Sequence, residues 1–189
     1  MMEYHFKKGA WNPNDFIQVT SLRTDGRVPF MQEEDSIVND TPKAKMMEHN
    51  YISLLTRDEY DLPLTAQTVC SFENFGAPLI VFSNDVHTTP DGFPVYGHHF
   101  EVVAFEEGIN VWELNGAEKP IKRAFARFPV QANRPLTLTV KLAHGVLRAD
   151  IDGQPLTAEI PTMPDRMRVG FTACEGVNRF YDFRIAENK

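Results

Sequence analysis

Hydrophobic and polar residues alternate with a period of two along most of the chain. Between residues 136 and 142 leucine or valine occupies every second position, and the same alternation resumes between residues 147 and 151. This period places the apolar side chains on one face, as in a half-buried β-strand. Asp152-Gly153 follows, and this dipeptide favours a tight hairpin because both positions tolerate positive φ. The pattern therefore predicts a meander of short strands.

Further segments of the same kind are punctuated by turn residues. They span residues 15–23, 51–57, 66–75, 78–83, 96–105, 109–114, 121–128, 167–174 and 178–185. Only residues 43–49 have the pattern of a short helix, with Asp40 as a capping residue ahead of Pro42. Because many short strands without intervening helices cannot form a parallel sheet, the chain is predicted to be an all-β, antiparallel β-sandwich.

Length and composition limit the classes of protein that fit. The chain has 189 residues, which favours a single domain over residues 1–189, and 42% of them are hydrophobic, as in a soluble globular protein. A net charge of -7 disfavours binding to nucleic acid. We expect no membrane partner, because no apolar run approaches the roughly 18 residues of a membrane span. The N-terminus lacks the apolar run of a signal peptide, so we expect a chain that is cytoplasmic or already processed.

Cysteine and histidine spacing gives no sign of a metal or another cofactor, and we expect none. Cys70 and Cys174 are far apart in sequence and have apolar neighbours, so we interpret both as reduced thiols in the core. His98 and His99 lack further ligands at the spacing of a zinc site. Asp85 and Asp91 belong to a polar loop without the spaced oxygen ligands of a calcium site.

Several segments together carry a resemblance to a known family. After the Asp152-Gly153 hairpin come Arg-Val-Gly-Phe at residues 168–171 and Phe-Tyr-Asp-Phe-Arg-Ile at residues 180–185. Gly-His-His-Phe-Glu-Val-Val begins at Gly97, and Gly-Ile-Asn-Val-Trp begins at Gly108. In order and spacing, residues 51–186 resemble the concanavalin A-like lectin/glucanase superfamily, in particular its uncharacterised bacterial branch. The resemblance implies a jelly roll of two curved antiparallel sheets, whose concave face binds carbohydrate in lectins and cleaves it in glucanases and lyases.

One departure from that family bears on activity. Its glucanases carry a Glu-x-Asp-x-x-Glu strand motif, whereas here Glu101 is followed by Val103 where the motif has aspartate. Retaining hydrolysis needs two carboxyl groups about 5 Å apart on one face. A binding module or a lyase does not need the second carboxylate, so both remain compatible with the resemblance.

The faces of two consecutive strands can be assigned from their apolar positions. Phe100, Val102 and Ala104 form the better core face of one strand, and Ile109 and Val111 form that of the next. Residues directly opposite each other on paired strands share a face. Because the side-chain period is two, the two core faces coincide only if the numbers of each opposed pair add up to an odd number. The opposite face then carries His99, Glu101, Asn110 and Trp112.

This polar and aromatic set is typical of sugar recognition, with polar atoms for hydroxyl groups and an aromatic plate for the ring. The register places Glu113 on the other side, which disfavours an acid/base pair of Glu101 and Glu113. Arg123 and Arg127 share a face with Phe125, and either they are solvated charges or they line a groove for acidic sugars. Trp112 has the alternative reading of a packed core residue.

Three functions remain open. The first is binding of an oligo- or polysaccharide by His99, Glu101, Asn110 and Trp112, with Arg123 and Arg127 as neighbours. The second is a carbohydrate-active enzyme, a glycoside hydrolase or polysaccharide lyase acting on a plant or bacterial polysaccharide, with Glu101 or His99 as the acid/base. The third is a structural or interaction domain without a sugar ligand. The sequence names neither the sugar nor the oligomeric state.

Overall fold

Two antiparallel β-sheets lie face to face in the computed structural model of the protein. The structure describes residues 1–24, 28–40 and 50–188, and the helix predicted over residues 43–49 lies outside these ranges. We call the two sheets sheet I and sheet II. Their arrangement confirms the predicted antiparallel β-sandwich of the jelly-roll kind.

Sheet I contains the chain's C-terminal strand near its centre. In the order in which they lie side by side, its strands are β16 (Gln154–Glu159), β15 (Val146–Ile151), β14 (Leu136–Ala143), β7 (Leu64–Glu73), β18 (Val177–Glu187), β4 (Ile37–Asp40) and β3 (Met31–Gln32), and β1 (Met2–His5) also pairs with β18.

Sheet II carries the two strands whose faces the sequence assigns. Its order is β13 (Ile121–Arg127), β12 (Gly108–Asn115), β11 (His98–Phe105), β8 (Ala77–Ser83), β17 (Arg166–Cys174), β5 (Tyr51–Thr56) and β2 (Phe16–Val19), and β6 (Tyr60–Asp61) also pairs with β17. The β7–β8 and β17–β18 connections each cross from one sheet to the other, so both turns lie at the edge of the sandwich.

Regular structure outside the two sheets is limited. A small hairpin of β9 (Val86–Thr88) and β10 (Pro94–Tyr96) forms within and just after the predicted polar loop, and a short 3-10 helix spans Pro13–Asp15. The predicted segments do not include β1, β3, β4, β6, β9 or β16. The first five of these strands have two to four residues, which are too few to show an alternation. Among the described residues no helix is long and apolar enough to span a membrane.

The main core fills the space between the sheets. The five residues assigned to it from the sequence, Phe100, Val102, Ala104, Ile109 and Val111, are all buried there. Phenylalanines of both sheets complete it, and the ring of Phe171 lies 4.6 Å from that of Phe180. Each such buried side chain contributes about 1.5–3 kcal/mol relative to an exposed one.

A second apolar cluster lies on the outer face of sheet II, away from the main core. It contains Val19, Tyr51, Leu55, Leu79, Val81 and Tyr96. The β9–β10 hairpin packs onto this cluster, because the backbone of Thr20 exchanges hydrogen bonds with Pro94 and Tyr96. The hairpin thus covers part of the outer face of sheet II, the face on which the sequence predicts a ligand.

Candidate functional site

The register of β11 and β12 determines which side chains share the outer face of sheet II. Glu101 lies directly opposite Trp112, and Val103 lies opposite Asn110. Glu113 pairs with Phe100 and so belongs to the other face. The register predicted from the parity of the apolar positions is confirmed.

An open groove of about 350 Å³ crosses this outer face. Its floor comes from β8 and β11, one wall comes from β12, and the opposite wall comes from the β7–β8 and β17–β18 turns. The residues that line it are Phe72, Phe75, Gly76, Ala77, Leu79, Glu101, Val103, Phe105, Glu106, Asn110, Trp112, Cys174 and Glu175. Of the predicted site residues, the groove therefore brings together Glu101, Asn110 and Trp112.

Glu101 is held in place from behind by Tyr51 and His99. Its Oε1 accepts a 2.6 Å hydrogen bond from the Tyr51 hydroxyl and lies 3.4 Å from Nε2 of His99. His99 is only 1% exposed, because its ring stacks under that of Tyr96 at 4.6 Å. Nδ1 of His99 donates to the Gly97 carbonyl oxygen at 2.9 Å. The structure thus places His99 beneath the surface beside Glu101, and not among the residues that line the groove.

Tyr51 is a permanent donor to this carboxylate. Burial, followed by the charge of Glu101, raises the pKa of the Tyr51 hydroxyl well above its usual value. The phenol therefore stays protonated at neutral pH and orients Oε1 of Glu101. No hydrogen bond from a described residue occupies Oε2 of Glu101, which leaves that oxygen for a donor in the groove.

Trp112 forms the aromatic side of the groove. The Lys122 ammonium lies over its ring, 4.8 Å from the centroid, and 5.5 Å from the centroid of Phe125. Asn110 lies two residues earlier on the same face of the strand and pairs with Phe125. Oδ1 of Asn110 is buried and accepts no hydrogen bond from the described residues. The aromatic rings and this amide give the wall both apolar surface and an unused acceptor.

Arg123 is not part of this wall, although simple alternation places it there. A register shift between Val111 and Trp112 aligns Trp112 with Lys122 instead of Arg123. Arg123 instead donates a 2.6 Å hydrogen bond from Nε to Glu113, on the other side of the sheet. β-bulges insert one unpaired residue into a strand, and a parity argument does not detect them.

Arg127 lies on its predicted face, but its charge is paired with a glutamate. It aligns with Gly108, one position further along the face that carries Asn110. Its guanidinium forms a 2.6 Å ion pair with Glu107, and both side chains are well exposed. Arg127 does not line the groove.

Glu113 belongs to a separate polar cluster. Its carboxylate accepts hydrogen bonds from Thr162 at 2.8 Å and from Arg123, and Nε2 of His98 lies 2.8 Å away. Burial alone would raise the pKa of Glu113, but the hydrogen bonds from His98, Thr162 and Arg123 lower it overall. Both oxygens of this carboxylate have hydrogen-bond partners in the protein, whereas only Oε1 of Glu101 has one among the described residues.

Several residues in or beside the groove are absent from the sequence-based set. Tyr51, Lys122 and Phe75 come from strands or turns whose position beside β11 depends on the fold. Phe75 is 66% exposed and has a left-handed backbone with φ of 65°, which is rare for a bulky residue. An aromatic residue at the end of a predicted strand, just before Gly76, is the one local signal that could have singled it out.

Cys174 also differs from its predicted place. Cys70 is in the main core, whereas Cys174 packs against the second cluster and lines the groove. Both are free thiols. Burial first, then the charges of Glu101 and Glu175, raise the pKa of Cys174 well above its usual value.

Comparison with solved structures shows the fold class. No protein-family model and no curated protein matches the chain. A protein of unknown function with a galectin-like fold from Bacillus subtilis matches with a TM-score of 0.73 at 10% identity, covering 99% of this chain and 95% of that one. The carbohydrate-binding module CBM66 from Bacillus subtilis matches with a TM-score of 0.66 at 8% identity, over 92% and 98% of the two chains. β-Agarase A in complex with oligoagarose matches with a TM-score of 0.66 at 7% identity, over 97% and 88%.

The resemblance to the concanavalin A-like superfamily is thus confirmed at the level of the fold. The chain has a concanavalin A-like jelly roll, a fold found in carbohydrate-binding modules and in enzymes that act on polysaccharides. Because the identities are about 10% or less, the comparisons define the architecture and no residue of the site.

Proposed function

We propose that the protein binds an oligo- or polysaccharide in the groove on the outer face of sheet II. The observation that supports this most directly is the pairing of Glu101 with Trp112 inside the groove. A sugar ring offers an apolar face to an aromatic plate and hydroxyl groups to an acceptor, and the two residues supply both. Asn110 adds a second acceptor on the same wall.

The expected contributions follow from ordinary contact energies. Stacking on the Trp112 ring adds about 0.5–1.5 kcal/mol beyond the buried area. A hydrogen bond from a sugar hydroxyl to the Glu101 carboxylate contributes about 1.5–3 kcal/mol. Tyr51 fixes Oε1 in advance, so little side-chain ordering is required when the ligand binds.

The test compares two groove residues with one carboxylate outside the groove. A glycan array identifies the saccharide, and calorimetry then measures its affinity for wild type, Trp112→Ala, Glu101→Gln and Glu113→Gln, with melting temperatures recorded in parallel. Trp112→Ala and Glu101→Gln should weaken binding several-fold or more without unfolding the protein, and Glu113→Gln should leave binding unchanged. Loss of binding in Glu113→Gln alone would place the site elsewhere. If Trp112→Ala lowers only the melting temperature, the indole is a packing residue.

A carbohydrate-active enzyme is the second candidate, favoured by the meeting of Tyr51, His99 and Glu101. Since His99 is almost fully buried, Glu101 is the group of this set that would act as acid or base at the substrate. Incubation with uronate polymers, followed by the absorbance of an unsaturated sugar, tests lyase activity, and release of reducing ends tests hydrolysis. A saccharide that binds but is returned intact supports the binding function, and the absence of any saccharide ligand leaves the structural or interaction domain.

A further inference from the structure

The groove presents negative charge to a ligand. The carboxylates of Glu101 and Glu106 line it, and no lysine or arginine is among its lining residues in the described part of the chain. Glu106 is exposed in the β11–β12 turn and forms no ion pair with a described residue. These carboxylates give the groove a negative field; burial first, and then the charges of Glu101 and Glu175, raise the pKa of the Cys174 thiol in its wall. Such a field attracts cations and disfavours anionic ligands.

The two arginines that the sequence places beside a ligand are paired with glutamates. Arg123 is bound to Glu113 on the other side of sheet II, and Arg127 is bound to Glu107. Recognition of a uronate or a sulfated sugar needs a free guanidinium or ammonium at the carboxylate or sulfate. The two arginines that the sequence offers to an acidic sugar are therefore already paired with glutamates.

The aromatic wall already holds a cation. The Lys122 ammonium lies within 6 Å of the ring centroids of both Trp112 and Phe125, at 4.8 and 5.5 Å. This is the distance at which the ring quadrupole attracts a positive charge. Lys122 is exposed and enters from the edge strand β13, so a ligand ammonium can take its place over the Trp112 ring.

We infer that the saccharide of this groove carries free amino groups, as in oligomers of glucosamine or galactosamine, and that its ammonium groups lie along the carboxylates of Glu101 and Glu106, one of them over the Trp112 ring beside Glu101. This inference rests on the proposed saccharide-binding function and specifies the class of sugar. The sugar ring uses the aromatic wall and the acceptors, and the charged amine uses the negative field.

Oligosaccharides that differ only at the amine test the inference. Glucosamine and galactosamine oligomers are titrated beside their N-acetylated counterparts of equal length, at a mildly acidic pH that protonates the amines, with oligogalacturonate as the acidic ligand. The free amines should bind several-fold more tightly than the N-acetylated forms, and added salt should reduce this preference because it screens the charges. Oligogalacturonate should bind most weakly. If the N-acetylated or acidic forms bind equally well or better, the inference fails while the proposed function stands. If none of these sugars nor any glycan on the array binds, both fail.

Two neighbouring glutamates provide a matched pair of variants. Glu106→Gln removes a carboxylate that lines the groove, whereas Glu107→Gln removes one that is paired with Arg127 outside it. Glu106→Gln should lower the affinity for the free-amine oligomer by about two- to fivefold, as expected for an exposed charge pair, and should leave the affinity for the N-acetylated form unchanged. Glu107→Gln should change neither. Equal effects of the two variants on the free-amine oligomer would overturn the inference.

Lys122→Ala tests the position of the ammonium on the aromatic wall. Because Lys122 competes for the Trp112 ring, its removal should strengthen binding of the free-amine oligomer more than binding of the N-acetylated one. Weaker binding of the free-amine oligomer by Lys122→Ala would show that the ligand cation does not replace Lys122, and would overturn the placement.

Discussion

The Tyr51 hydroxyl donates a 2.6 Å hydrogen bond to Oε1 of Glu101, and the bond connects β5 to β11 across the two strands between them. Because Glu101 is only 7% exposed, loss of this donor leaves a buried carboxylate with one fewer partner. Tyr51→Phe should therefore lower the free energy of unfolding by about 1.5–3 kcal/mol, measured by urea denaturation.

Tyr96→Phe is the control for this measurement. The Tyr96 hydroxyl is buried in the same cluster but has no hydrogen-bond partner among the described residues. Its removal should leave the stability nearly unchanged. If the two variants lose the same stability, the bond to Glu101 adds nothing to the effect of removing a buried hydroxyl group.

The polar cluster of Glu113 predicts a pH-dependent stability. Hydrogen bonds from His98, Thr162 and Arg123 lower the pKa of Glu113 below the usual 4.5 despite its burial. A carboxyl group with a lowered pKa stabilises the folded state above its unfolded pKa, and that stabilisation is lost as the pH falls through the folded pKa. Glu113→Gln should thus cost about 1–3 kcal/mol at neutral pH, and the difference from wild type should shrink below the usual carboxyl pKa. A difference that stays constant between neutral and acid pH would contradict this account.

Two glycine turns hold the groove wall that carries Phe75. A Cβ at Gly176 would overlap the Asn74 carbonyl oxygen and the Gly76 amide nitrogen, so the β7–β8 and β17–β18 turns can meet only at glycine. Gly176→Ala should therefore lower the free energy of unfolding by about 1–3 kcal/mol, as overpacking does, and should also lower the affinity of the groove for its saccharide.

Gly92→Ala in the β9–β10 turn provides the comparison for Gly176→Ala. Gly92 has φ of +84° but no atom within 4 Å of an added Cβ, and it does not line the groove. Denaturation should show a loss of stability in both variants, whereas calorimetry should show weaker binding in Gly176→Ala alone. An unchanged affinity in Gly176→Ala would mean that the turns do not shape the binding site.

Thiol labelling distinguishes the two cysteines. Burial raises the pKa of both Cys70 and Cys174, so both should react slowly in the native protein and fully after denaturation without reductant. Because Cys174 lines the groove, a bound saccharide should slow its labelling further and leave that of Cys70 unchanged. A denatured protein without reactive thiols would contradict the assignment of both as free.

The sequence by itself determined the β-sandwich and the two faces of the β11–β12 hairpin. The alternation of apolar residues is a local property, and the short β11–β12 turn fixes which residues lie opposite one another. Glu101 and Trp112 could therefore be placed on one face, and Glu113 on the other, before the positions of the remaining strands were known. Asn110 follows from the same register.

Only the tertiary structure decided what surrounds that face. The bulge at Arg123 in β13 turns that side chain to the other side of the sheet and puts Lys122 over Trp112. Alternation carries no information about such an inserted residue. Tyr51 lies within hydrogen-bond distance of Glu101 because β8 and β17 pair in a fixed register between β11 and β5. These strands are remote from one another in sequence, so local patterns do not predict the contact. The burial of His99 under Tyr96 has the same origin. These contacts form only when the whole sheet has packed. They decide which charged groups face the groove, and therefore which charge the groove presents to a ligand.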